Sequence, residues 1–145
     1  MNERLSINQA GLNLIKEFEG CCLVSYMDNG GWAIGYGHTS NVQSGQVIGV
    51  DTALKFLNED LSIAEAVVSS LVSFPLSENQ FSALVSFVFN LGREALATST
   101  LRAKLNSGDL KGASEEFTRW DKISGTPNAG VLRRRTAEQA LFLTP

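Results

Sequence analysis

The sequence has few of the cysteine and histidine side chains on which disulfide, zinc or triad chemistry draws. Its two cysteines, Cys21 and Cys22, are adjacent and cannot readily bridge each other, and no spaced set exists for a disulfide framework or a zinc site. Both read as reduced thiols, packed as a buried pair of small apolar side chains. His38 is the single histidine, which excludes a three-histidine metal centre and leaves a Ser-His-Asp triad one possible base. No metal and no organic cofactor is expected. No window approaches the roughly 18 consecutive apolar residues of a membrane span, so stable membrane insertion is not expected either. The start, Met1-Asn2-Glu3-Arg4-Leu5, lacks the basic head and continuous apolar core of a signal peptide, which points to a product held in the cytoplasm.

What is present suits a folded, soluble chain. The 145 residues are 43% hydrophobic and 19% charged with only 3 prolines, enough for one domain to bury its own core. Net charge is −3, unevenly spread: residues 1–99 carry 4 basic and 10 acidic side chains, residues 100–145 carry 8 and 5. An acidic whole argues against nucleic-acid binding, while a locally cationic C-terminal third suits an anionic polymer. No repeat or low-complexity segment is evident.

The spacing predicts a first helix over about 7–18, opened by a Ser6-to-Gln9 capping box and stopped by Gly20, so that Glu19 stands at its end. Leu23 to Gly37 reads as two short strands joined by the turn Asp28-Asn29-Gly30-Gly31, with a third short strand near Gln46 to Ile48. Asp51 suits an N-cap for a helix of about five turns running to Leu71, long enough to connect two lobes. A second capping box, Ser77 to Gln80, opens a helix that is apolar around much of its circumference and belongs in the core. Leu110–Trp120 reads as a further helix, Ser124–Gly130 as a loop, and about 131–142 as the last helix. The expected class is α+β, in one domain of 145 residues. A β-rich lobe would span about 20–50, a connecting helix 51–72, and a helical lobe 73–145 with 1–19 packed on it.

With histidine and cysteine chemistry largely excluded, carboxylates remain. Cleavage of a glycosidic bond needs one acid to protonate the leaving oxygen and a second to stabilise or attack the sugar cation, or to direct water to it. Glu19, after the apolar Phe18, would have its pKa raised by partial burial, whereas Asp28 sits in a polar glycine-rich turn. Two acids nine residues apart are also commonplace as a surface charge and a turn aspartate, and spacing alone favours that structural role.

The wider string shifts the balance: Phe18-Glu19-Gly20, Tyr26-Met27-Asp28 and Ile34-Gly35-Tyr36-Gly37-His38-Thr39, then Phe89-Asn90-Leu91-Gly92, Ser99-Thr100-Leu101, Phe117-Thr118-Arg119-Trp120 and Leu132-Arg133-Arg134-Arg135. This resembles the bacteriophage lysozyme or endolysin family, glycoside hydrolase family 24, over nearly the whole chain. The resemblance implies a lysozyme-like two-lobed fold and hydrolysis of the β-1,4 bond between N-acetylmuramic acid and N-acetylglucosamine in peptidoglycan. It makes Glu19 the general acid and Asp28 the second carboxylate. It also implies a chain that acts as a monomer and waits in the host cytoplasm for a membrane-permeabilising partner before reaching the cell wall.

One position departs from that pattern. The family usually carries a threonine six residues after the aspartate, where it helps hold the attacking water; here Ala33 stands five residues after Asp28. Thr39 or Ser25 would have to substitute. A lytic transglycosylase, which closes an anhydro ring with the sugar's own hydroxyl and needs no held water, is the neighbouring chemistry. A peptidoglycan-binding protein with impaired catalysis is the third reading.

Other candidates have both a functional and a packing role open. His38 reads as structural, tying the sheet to an acid or carbonyl. Trp32 leans towards the cleft; Tyr26 and Tyr36 are evenly divided between sugar stacking and packing. Phe89 resembles a cleft residue of the family, Ser99 and Thr100 are placed to bond saccharide or cap a helix, and Ser114 is a weaker binding candidate. Of Arg133, Arg134 and Arg135, two are expected on a solvated face, Arg134 is spaced to pair with Glu138, and the resemblance implies that one arginine of this run approaches Glu19 without saying which.

Overall fold

The computed structural model describes residues 2–28 and 30–145; Met1 and Asn29, the latter expected in the hairpin turn, lie outside the described residues. Among the described residues the chain forms seven α-helices and two small antiparallel sheets, an α+β architecture.

Helix α1 (Gln9–Glu19) begins later than the Ser6 capping box predicts, because tertiary bonds hold the preceding residues extended. The Ile7 amide donates to Glu65 Oε2 at 2.9 Å and the Asn8 amide to Ser82 Oγ at 2.9 Å, so Asn8 becomes the cap and accepts from the Gly11 amide. Strands β1 (Cys22–Asp28) and β2 (Gly31–Gly35) pair antiparallel, with Tyr26 opposite Ala33, Met27 opposite Trp32 and Asp28 opposite Gly31. The expected third strand reduces to a single bridge, Val24 to Val47, flanked by Ser25 N to Gln46 O and Ile48 N to Leu23 O. Gly45, at φ +75°, and the helix cap at Gly49 leave only a few extended residues between them.

Helix α2 (Val50–Leu71) is capped by Gly49, not by Asp51, which instead lies in the first turn where its charge complements the helix dipole. Its 22 residues span about 33 Å at 1.5 Å per residue. The link to α3 (Glu78–Leu91) is clasped by buried Asn2, whose Nδ2 donates to the Val72 and Phe74 carbonyls while its Oδ1 accepts from the Leu76 amide. Helix α3 opens with the Ser77 and Gln80 capping box that the sequence predicts, and Phe81 to Val88 are buried without interruption. Such a helix must be wrapped by others. Helix α1 crosses it so closely that a Cβ on Gly11 would lie 2.8 Å from the Ser82 Cβ.

Short helices α4 (Arg93–Ala97), α5 (Thr100–Asn106) and α6 (Leu110–Glu116) follow. The helix expected to run to Trp120 ends in a 3₁₀ turn, Phe117–Arg119, and the Trp120 carbonyl turns away to accept from Arg135 Nε at 3.1 Å. The expected loop at 124–130 holds half of a minimal hairpin, β3 (Lys122–Ile123) with β4 (Thr126–Pro127), whose two turn residues Ser124 and Gly125 both take positive φ. Asn128 then caps α7 (Ala129–Leu143), which packs along α3. No helix among the described residues is long and apolar enough to cross a membrane.

Candidate active site

The end of α1 delivers Glu19 into a cleft of about 620 Å³ whose walls are Glu19, Asp28, Gly30, Gly31, Gly37 and Thr39 on one side and Phe89, Asn90, Leu91 and Gly92 on the other. Gly20, at φ +66°, ends the helix directly after the acid. The Glu19 side chain is 18% exposed, and Arg134 Nη1 donates to its Oε2 at 2.7 Å. Its other oxygen, Oε1, lies against the Gly37 backbone, which the turn after β2 carries beneath it at φ +79°. Asp28, at the end of β1, is exposed and lines the same cleft. A second recess of about 350 Å³ shares Gly37, Thr39, Phe89 and Gly92 with the cleft and extends it towards α2.

Arg134 is the arginine that approaches Glu19, and it is itself fixed from behind. Its Nε donates to Glu138 Oε2 at 3.4 Å, the i, i+4 pairing expected from the sequence, and its Nη2 to the Ser86 carbonyl at 3.3 Å. Glu138 is fully buried and also accepts from Ser86 Oγ at 2.5 Å and from Arg135 Nη1. Arg135 is buried over the Phe87 ring and reaches Asn90 Oδ1 with Nη2. Two arginines of the run are therefore buried, where two solvated ones are expected, because Glu138, Ser86 and Asn90 supply acceptors inside the protein. Arg133 is exposed and lines a separate groove between α1 and α7 with Glu17, Phe18 and Leu132, which neither Glu19 nor Asp28 lines.

His38 contacts an acid, as the structural reading of it expects. Its Nδ1 lies 2.8 Å from Asp60 Oδ2, its ring stacks on Phe56 at 4.2 Å, and so the turn bearing Gly37 is stapled to α2. Thr39 and Phe89 line the cleft, but Trp32, Ser99, Thr100 and Ser114 are not among its lining residues. Trp32 pairs with Met27, one residue out of phase with the Asp28 to Gly31 pair, and so shares the other face of the hairpin. Ser99 caps α5 through the Arg102 amide, Ser114 donates to the Lys111 carbonyl, and Thr100 is exposed at the start of α5.

Cys21 and Cys22 are exposed, not a buried pair: Gly20 turns the chain outward and Cys22 opens β1 at the surface. Tyr26, opposite Ala33, sits on the cleft side, and burial pushes its phenol above the ordinary range, assisted by the charges of Cys22, Asp28 and Glu19. Burial likewise raises Tyr36, together with the charge and hydrogen bond of Cys21. Ala33 is fully buried and presents only a methyl group where a water-holding hydroxyl would be sought.

Sequence reasoning gave no site role to Gly37, Asn90 or Ser86, and it did not separate Arg135 from the rest of the arginine run. A signal for Arg135 exists in its i, i+3 spacing to Glu138, and for Asn90 in its place beside Phe89.

Comparison with known proteins bears on the family of the chain. Residues 16–138 match the family model described as phage lysozyme. The endolysin of Acyrthosiphon pisum secondary endosymbiont phage 1 is 46% identical over 143 residues, covering 95% of this chain and 98% of the relative. The Salmonella phage P22 endolysin is 38% identical over 146 residues, covering 97% and 99%. Among solved structures, the muramidase domain of SpmX from Asticaccaulis excentricus superposes with a TM-score of 0.91 at 39% identity, covering 98% of this chain and 100% of that one. With a family model matched over most of its length and relatives of this identity spanning nearly all of it, the chain belongs to the phage lysozyme family.

Proposed function

We propose that this chain is an endolysin that hydrolyses the β-1,4 bond between N-acetylmuramic acid and N-acetylglucosamine in bacterial peptidoglycan. The observation that carries the reading is the pair Glu19 and Asp28 on one cleft, with Glu19 held by Arg134. Glu19 gives its proton to the glycosidic oxygen as the bond from the sugar C1 breaks. Asp28 faces the positive charge that develops on the ring, and water completes the reaction at C1. The continuation of the cleft into the second recess suits a polymer, which needs contacts on either side of the bond that is cut. Made in the host cytoplasm, such an enzyme reaches the wall through a membrane-permeabilising partner.

The buried methyl of Ala33 keeps a second chemistry in view, because nothing at that position holds a water. A lytic transglycosylase would leave anhydro ends, a hydrolase reducing ends, and a binding protein no soluble fragments at all. Digestion of purified sacculi followed by mass spectrometry separates the three, and reducing ends are expected. Glu19→Gln is expected to abolish release while the protein still folds; undiminished release by that variant overturns the assignment.

A further inference from the structure

The wall formed by the end of α3 is chemically spare. Of Phe89, Asn90, Leu91 and Gly92, only Asn90 carries a side chain able to form a hydrogen bond. Its orientation is dictated from beneath. Arg135 has donors and no acceptor, so the amide oxygen of Asn90 must face it, and the Oδ1 of Asn90 does accept from Arg135 Nη2. Arg135 cannot turn away, being fully buried and tied to Glu138 and to the Trp120 carbonyl. The Nδ2 of Asn90 is thereby directed away from Arg135, it has no partner among the described residues, and the residue is exposed on the cleft.

From this geometry we propose that Asn90 is a specificity-determining residue whose Nδ2 donates to the carbonyl oxygen of a sugar acetamido group. This rests on the peptidoglycan reading above. An acetamido group has two ends to satisfy, a carbonyl that only accepts and a methyl that needs apolar cover. Asn90 supplies a fixed donor, and the half-buried side chains of Phe89 and Leu91 supply the apolar surface on either side of it in sequence. A sugar hydroxyl would be served as well by an acceptor as by a donor and has no methyl to cover, so the wall fits the acetamido group better.

The test is Asn90→Asp, which keeps an oxygen for Arg135 but presents a carboxylate oxygen to the cleft in place of the amide donor. Ion pairing to Arg135 should keep the melting temperature at or above that of the parent, so lost function will not be lost folding. On N-acetylated sacculi the variant is expected to raise KM about 10-fold with a smaller change in kcat, in line with removal of one buried hydrogen bond. On chemically de-N-acetylated sacculi, whose sugars carry ammonium groups, the variant should lose its disadvantage, so that the ratio of kcat/KM on the two substrates falls at least 10-fold relative to the parent. Binding to both kinds of sacculi, measured in the Glu19→Gln background, should follow the same order without any turnover. An unchanged substrate ratio and unchanged binding overturn the proposal while leaving the enzyme assignment standing. Failure of the parent chain to bind or cut sacculi at all removes the reading beneath it, and the proposal with it.

Discussion

A Cβ placed on Gly37 would lie 2.6 Å from Glu19 Oε1, closer than any real carbon and oxygen approach without displacement. The glycine is therefore part of the shape of the acid's seat. Gly37→Ala is expected to cost about 1–2 kcal/mol for a left-handed alanine and, by moving the carboxyl group, to lower kcat by roughly 100-fold. Gly45 is the internal control: its φ of +75° imposes the same strain, but nothing lies within 4 Å of its Cβ position. Gly45→Ala should lose similar stability and keep its activity. Equal activities for the two variants would show that the Glu19 contact is unimportant.

The guanidinium of Arg134 meets acceptors on three residues at once, Glu19, Glu138 and Ser86. A lysine keeps the charge but has no planar fork to span them. Arg134→Lys is therefore expected to leave a folded protein whose kcat is reduced by roughly 10- to 100-fold, with a smaller change in KM. Steady-state rates on sacculi, alongside thermal unfolding, check this; a parental kcat would mean that Glu19 needs no such clamp.

Glu138 is the anion between two buried cations, and removing it leaves both short of a partner. Glu138→Leu should destabilise the fold by about 3–5 kcal/mol, whereas Glu138→Gln, which retains an acceptor oxygen, should lose less. Denaturant unfolding of the three proteins orders them, and a leucine variant as stable as the glutamine one would contradict the role given to the carboxylate.

The chain has only two tyrosines, Tyr26 and Tyr36, and both phenols are raised above their ordinary pKa of 10.0 by burial first. In the unfolded chain they ionise near 10, so above that pH the unfolded state binds fewer protons than the folded one, and stability falls as pH rises. Spectrophotometric titration should place both midpoints above those of the urea-unfolded protein. In Glu19→Gln the midpoint of Tyr26 should move down, because one of the charges that raises it is gone. Coincident folded and unfolded titrations would refute the burial of the two phenols.

Local chemistry was readable where the reason for it was local. Ser77 and Gln80 cap α3 from within the same turn, and the glycine-flanked hairpin holds Asp28 where its turn residues place it. Asn8 replaced Ser6 as the first cap because Glu65 and Ser82, distant in sequence, claim the amides before it. The arginine run shows the same limit. Charge alone cannot distinguish Arg133, in an outer groove, from Arg134 and Arg135, buried one and two residues later, since the difference lies in acceptors offered by α3 and by Glu138. For the cleft, Glu19, Asp28, Thr39 and Phe89 were legible through a pattern extending over most of the chain, while Asn90 gains its meaning only from the arginine packed beneath it.

The ion pair between Glu19 and Arg134 joins residues 115 positions apart. On a ribosome the acid emerges early and its clamp late, so a nascent or prematurely ended chain can carry the carboxylate without the group that seats it. Under the proposed function, the seated form of Glu19 exists only after α7 has been made and has docked, and copies lacking α7 are expected to cut poorly whatever their concentration.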